Sequence, residues 1–155
     1  MTDNTIKKKP VDLRGIDLSG KNLFLKLARF FRRTNLLGAN LTRANLSRSN
    51  LAGYDLSCAQ LLWSNLSGAD LRGADLTRSN MMWARLTGAN LSGANLCGAN
   101  LRGANLSDAI VDGADFTGAD LTDAIVDGVD FSRAKSLDGV IGLNLPKASS
   151  KDKED

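Results

Sequence analysis

The sequence predicts an all-β solenoid, a coil built from short extended pieces that are joined by corners. Its main evidence is a strict five-residue period: steps of five from Leu36 meet only apolar residues as far as Phe131. A small residue, usually Ala, lies two positions before most of these centres, and Asn or Asp usually lies one position before them. An amphipathic helix repeats every three or four residues and a strand every two, so neither explains the pattern.

A chain that turns a corner after each extended piece does explain it. The centre and the small residue two positions earlier then both point inward, as alternate residues of a strand do. The other three positions face water, which agrees with their content of Ser, Thr, Asn, Asp, Arg and Gly. Gly near the corner suits a bend that requires unusual backbone angles.

The units 89–93 (Ala-Asn-Leu-Ser-Gly) and 94–98 (Ala-Asn-Leu-Cys-Gly) resemble the pentapeptide repeat family. Twenty consecutive units in phase cover about two thirds of the chain, which makes the resemblance specific. The resemblance implies a right-handed quadrilateral β-helix with four repeats, or twenty residues, per coil. It also implies that side chains twenty positions apart lie above one another on the same wall.

The predicted β-helix covers residues 11–135 and is preceded by a polar, basic N-terminus, 1–10, which we expect to be disordered. Its first three centres, Leu13, Leu18 and Leu23, are out of phase with the main array because of an insertion at 26–33. The basic side chains of this insertion are Lys26, Arg29, Arg32 and Arg33.

The insertion has no helix breaker and predicts a short helix or loop. Phe24, Leu27 and Phe31 fall on one helical face. One interpretation is a cap that packs against the solenoid and hides the Phe side chains, since repeat arrays need their open ends covered. The other is a basic amphipathic element that docks on an anionic membrane or on nucleic acid.

After Lys135 the five-residue period fails, and closely spaced apolar residues with interleaved Gly and Pro follow. We expect residues 136–146 to form a C-terminal cap, because the backbone edge of a last coil would otherwise pair with another chain. The family resemblance implies an alternative use of this end, as a homodimer contact. The charged, Ser-rich residues 147–155 are predicted to be disordered.

The composition offers little for catalysis. The chain has no His, and Cys58 and Cys97 do not have metal-ligand spacing. Neither a P-loop nor a nucleophile elbow occurs. We therefore expect no enzymatic activity, no cofactor, no metal site and no small-molecule substrate. Without a signal-like apolar run or a membrane-spanning stretch, we expect a cytoplasmic protein with two free thiols.

A partner-binding surface has better candidates. Trp63 and Trp83 are twenty residues apart, so the resemblance places them on the same wall about 4.8 Å apart along the axis. The predicted patch comprises Leu62, Trp63, Met82 and Trp83 with Arg43, Arg85 and Arg102 around it. Aromatic residues, Met and Arg are enriched in protein interfaces. The alternative is that the stacked rings only cover the coil beneath them.

Three functions follow from these patterns. The first is a non-enzymatic protein-binding or scaffold module that uses the Trp63/Trp83 face. The second, implied by the resemblance, is a DNA-mimicking modulator of DNA gyrase like the quinolone-resistance members of the family. The stretch 103–135 supports this function, because it is acidic, with seven Asp and two basic residues. Residues 1–33 oppose it, because they are basic, with nine basic and three acidic residues. The third is attachment to a membrane or nucleic acid through that basic N-terminal segment.

Overall fold

A computed structural model describes residues 12–18 and 35–143 of the chain. The N-terminus 1–10, the tail 147–155 and the insertion 26–33 lie outside the described residues. The two interpretations of the insertion, and of Lys26, Arg29, Arg32 and Arg33 within it, therefore stay predictions.

Each coil of the main array takes twenty residues. The strands are reduced to single bridged residues, and each pairs in parallel with the residue twenty positions later, as Asn45 does with Asn65. Five-residue units thus form four walls, which we number in chain order. The bridged residues are Asn40, Gln60, Asn80 and Asn100 on wall 1; Asn45, Asn65, Arg85 and Asn105 on wall 2; Asn50, Asp70, Asn90 and Ile110 on wall 3; and Asn35, Asp55, Asp75, Asn95 and Asp115 on wall 4.

The repeat centres fill the inside of the coil. Leu46, Leu66, Leu86 and Leu106 form one vertical stack behind wall 2, and each is fully buried. Burying a Leu side chain contributes about 1.5–3 kcal/mol, so the stacks of centres supply most of the apolar stabilisation. Tyr54 takes an Ala position yet is only 6% exposed, and burial raises the pKa of its hydroxyl. The inside therefore accommodates one large ring without losing the coil.

The corners are hydrogen-bonded turns with one residue in the left-handed region. At the turn Leu41–Ala44, the N–H of Ala44 donates to the carbonyl of Leu41 at 2.9 Å, and Arg43 has φ 60°. A positive φ at the third residue alone is typical of a type II turn, which favours Gly there. The Asn40 side chain accepts from the N–H of Thr42 at 3.2 Å. This local bond explains why Asn or Asp precedes each centre.

At both ends of the array the residues still pair along the same walls, but paired residues are no longer twenty positions apart. At the N-terminal end Asp12 pairs with Asn40, a separation of twenty-eight residues instead of twenty. At the C-terminal end a 3-10 helix, Phe131–Arg133, adds one residue, and Ser136 then pairs with Asp115. Ile141 likewise pairs with Asp120, so the expectation that the period fails after residue 135 needs correction: the ladder continues with one residue inserted.

Candidate functional site

The corner between walls 1 and 2 differs from the rest of the surface. Its third turn positions carry Arg43, Trp63, Trp83, Gly103 and Asp123 in successive coils, and we call this set the Trp column. The indoles of Trp63 and Trp83 stack with ring centroids 5.5 Å apart and an interplanar angle of 15°. Trp63 is 54% exposed and Trp83 is 42% exposed. The column therefore presents a rigid aromatic surface to solvent.

The backbone of this corner does not require tryptophan. Both indole-bearing residues have φ 59°, a conformation that disfavours side chains with a Cβ by roughly 1–2 kcal/mol. The opposite corner, between walls 3 and 4, carries glycine at the same turn position in four successive coils: Gly53, Gly73, Gly93 and Gly113. Since glycine suffices there, the tryptophans carry a local cost that the fold itself does not demand. Other non-glycine residues at this turn position, such as Arg48 and Arg78, carry the same cost, so the exposed and stacked indoles, and not the strain, distinguish the Trp column.

Gly103 provides the seat on which Trp83 rests. A Cβ at Gly103 would overlap the Trp83 ring, far inside the contact distance of two carbon atoms. The absence of a side chain at position 103 therefore allows the indole to lie there. Sequence reasoning missed this residue, although a step of twenty from Trp83 leads directly to it.

Leu62 and Met82 lie one position before the two tryptophans and are half-buried. The N–H of Trp63 donates to the carbonyl of Met82 at 3.1 Å, which ties the two coils together at the patch. Four residues thus form a two-by-two apolar patch that spans the corner: Leu62, Trp63, Met82 and Trp83. The structure brings together all four apolar residues that the sequence singled out.

The three arginines of the predicted patch differ in their partners. Arg102, one coil beyond Met82, donates to Asp120 at 3.3 Å. Hydrogen bonds from Thr122, with a smaller contribution from Arg102, lower the pKa of that Asp120 carboxyl. Arg43 and Arg85 are exposed, and none of the ion pairs between described residues includes either one. Both guanidinium groups are thus available to an anionic partner.

An open cleft of about 790 Å³ adjoins Trp63 on its N-terminal side. Its lining comprises Asp12, Arg14, Gly15, Thr42, Arg43, Leu62 and Trp63. Arg14 donates to both carboxylate oxygens of Asp12, with the shortest bond at 2.8 Å, and lowers the pKa of that carboxyl. Sequence reasoning did not assign Asp12 or Arg14 to the patch, because the insertion shifts them out of the twenty-residue register.

Residues 12–18 and 35–143 are the ranges in which metal-binding and membrane-spanning features can be described. In these ranges, His, Cys, Asp and Glu side chains form no group that could hold a metal ion. Cys58 and Cys97 are free thiols. Within the same ranges, no helix has the length and apolar character needed to cross a bilayer.

The repeat sequence and the coil geometry agree with comparisons to known proteins. A family model of pentapeptide repeats matches eight copies over residues 30–59, 64–103 and 99–135. The chain belongs to the pentapeptide repeat family. Its fold is accordingly a right-handed quadrilateral β-helix, which confirms the predicted fold class.

Two solved relatives of this pentapeptide repeat protein come from cyanobacteria. It is 32% identical to alr5209 from Nostoc PCC 7120, over 86% of this chain and 98% of that one, with a TM-score of 0.62. It is 31% identical to Rfr23 from Cyanothece 51142, over 85% and 88% of the two chains, with a TM-score of 0.55. Both are described in their structures only as pentapeptide repeat proteins.

No curated protein matches the chain.

Among solved structures, that of the fluoroquinolone resistance protein QnrB1 matches at 17% identity over 84% of this chain and 90% of that one, with a TM-score of 0.18. A likeness at that level says nothing about function. The gyrase alternative therefore stays a prediction from the sequence.

Proposed function

We propose that this pentapeptide repeat protein is a non-enzymatic binding module that holds a protein partner against the Trp column, Leu62 and Met82. One observation carries the proposal: two stacked, half-exposed indoles occupy turn positions at which glycine serves the fold equally well. A contiguous exposed apolar patch on a folded protein is typical of an interaction site.

The energetics of recognition favour this surface. Tryptophan and arginine supply a large share of binding energy in protein interfaces, from the centre of the contact. The indoles are held by their stacking and by Gly103, so little conformational freedom is lost when a partner binds. The patch therefore combines large contact area with a preformed shape.

The rest of the molecule supports a binding role over a catalytic one. The inside of the coil, which catalysis would need to open into a pocket, is filled mainly by buried Leu and Ala side chains. Activity as a scaffold requires only the outer walls, which the core holds in fixed positions. We place the protein in the cytoplasm on its sequence alone, and the homodimer through the C-terminal end stays an unsupported alternative.

Affinity capture from an extract of the source cells tests the proposal. The decisive variant replaces both Trp63 and Trp83 by Gly, which keeps the turn conformation and removes the indoles. The matched control replaces Arg48 and Arg78 by Gly, because these residues occupy the same turn position, with φ 54° and 53°, at other corners. We expect the parent and the control to retain the same partner, while the Trp variant loses it by about tenfold or more.

Circular dichroism and thermal melting accompany the capture experiment. Both double variants should fold, since glycine is the ordinary residue at this turn position. Equal partner recovery by the parent and by the folded Trp variant would contradict the proposed function.

A further inference from the structure

We propose that the segment bound at the Trp column is an extended acidic peptide. An apolar side chain of the peptide lies on the Trp63/Trp83 pair, and its carboxylates bind Arg43 and Arg85. This inference rests on the proposed function and names the chemistry of its partner.

The charges around the patch favour an acidic partner. Arg43 and Arg85 flank the indoles and have no acidic partner among the described residues. Two nearby acids are already paired, Asp12 with Arg14 and Asp120 with Arg102. The patch therefore has two arginines outside the ion pairs of the described residues, and complementary charges raise both the rate and the specificity of association.

The Trp column also gives the partner a direction. Arg43 lies one coil from Trp63 on the N-terminal side, whereas Asp123 lies two coils from Trp83 on the C-terminal side. Neither Arg43 nor Asp123 belongs to an ion pair among described residues. An acidic peptide is thus attracted to the Arg43 end of the column and repelled from the Asp123 end, so one carboxylate lies at Arg43 beside the open cleft and a second binds Arg85 at the level of Trp83.

The distance between Trp83 and Arg43 defines the sequence spacing that we expect in the partner peptide. Trp83 and Arg43 are separated by two coils, which is about 10 Å at the usual strand spacing. An extended chain covers this distance in about three residues. The partner segment should therefore carry an apolar residue about three positions from an acidic one. The cleft of about 790 Å³ beside Trp63 has room for the acidic side chain and its neighbours.

Fluorescence anisotropy with labelled synthetic peptides tests this inference. The probe is a ten-residue peptide with one Phe and Glu at the third and fourth positions on either side of it. A second peptide replaces every Glu by Lys. We expect saturable binding of the acidic peptide, quenching of the intrinsic tryptophan fluorescence, and weaker binding as salt is raised. We expect no saturable binding of the lysine peptide.

Charge-reversal variants of the protein provide a second test of the inference. Arg43→Glu combined with Arg85→Glu should weaken binding of the acidic peptide by about tenfold or more. Arg48→Glu combined with Arg78→Glu changes the net charge equally, at arginines that are also exposed and outside the ion pairs of the described residues. This matched control should bind within about twofold of the parent.

Several outcomes would overturn the inference. These are failure of the acidic peptide to bind, equal binding of the lysine peptide, or equal losses in the two charge-reversed variants. Saturable binding of a single-stranded oligonucleotide in place of the acidic peptide would likewise assign the patch to another class of ligand. If the Trp variant loses its captured partner but the Arg43/Arg85 variant keeps it, the proposed function stands and the acidic-peptide inference falls.

Discussion

Two opposite corners of the same coils share a backbone and differ in the side chains at the third turn position. The corner between walls 3 and 4 has Gly at φ 63–68° in four successive coils, and the Trp column has indoles at φ 59° in two of its coils. The same turn forms whether its third residue is glycine or another amino acid. This third position can therefore vary while the rest of the coil stays constant. The fold therefore does not explain the difference between the corners, and the proposed binding role does.

The same comparison explains why the inner and outer residues of the array follow different rules. Inner positions must fill a narrow space, so they carry mainly Leu and Ala, with exceptions such as Tyr54 and Phe116. Outer turn positions meet only solvent and the side chain of the next coil. Arginine, cysteine, aspartate and tryptophan are all found there beside glycine. Specific recognition can arise at such positions without any change in the fold.

The largest effect should come from a change that destroys both corners together. Leu91 is fully buried, and Leu91→Lys removes its apolar burial and places a charge in the core. We expect the free energy of unfolding to fall by about 3 kcal/mol or more. Thermal melting followed by circular dichroism measures this loss.

Ser92→Lys is the control, because residue 92 adjoins Leu91 but lies on the outer wall. It should melt close to the parent, since it gives up only a side-chain bond to Asn90. If Leu91→Lys melts with the parent as well, the inner stack cannot be what holds the two corners in register.

The fold could be predicted from the sequence because the period of five places one apolar and one small residue inside each unit. Leu46, Leu66, Leu86 and Leu106 lie in one inner stack, as the family resemblance implied. The C-terminal end was less predictable, because a 3-10 turn at Phe131–Arg133 adds one residue and then restores the pairing. A periodic pattern cannot reveal where the chain absorbs a single extra residue.

The candidate site could be predicted only in part, for a similar reason. The pairing of Trp63 with Trp83 follows from the twenty-residue coil that the family resemblance implies. The cleft residues Asp12 and Arg14 join the patch across twenty-eight residues, a spacing that the main array does not predict. The role of Gly103 depends on the direction in which the Trp83 ring leans, which is set by packing and not by the repeat.

A smaller effect distinguishes the two corners directly. Gly103 and Gly73 have the same φ of 63°, so replacing either by Ala introduces the same backbone strain, roughly 1–2 kcal/mol. Nothing lies within 4 Å of a Cβ at Gly73, whereas a Cβ at Gly103 meets the Trp83 ring. Gly103→Ala should therefore destabilise the protein by about 1 kcal/mol more than Gly73→Ala, and it should also weaken partner binding.

The same pair of substitutions in a Trp83→Gly background supplies the control. With the indole removed, Gly103→Ala and Gly73→Ala should have equal effects on the free energy of unfolding, measured by urea denaturation. A persistent excess for Gly103→Ala would mean that Trp83 is not seated on Gly103.

The smallest effect concerns the inner side of the corner that carries Trp63. Ser64, the next residue, is buried, and its hydroxyl finds no hydrogen-bond partner among the described residues. Ser49 occupies the equivalent inner position behind another corner, but its hydroxyl donates to the carbonyl of Leu46 at 2.6 Å. Removing an unsatisfied buried hydroxyl is favourable, whereas removing a bonded one is not. Ser64→Ala should therefore stabilise the protein by about 1 kcal/mol and Ser49→Ala should not.

Because Ser64 faces inward, its replacement should leave partner binding unchanged. A loss of binding in a more stable Ser64→Ala variant would show that the inner and outer sides of this corner are coupled.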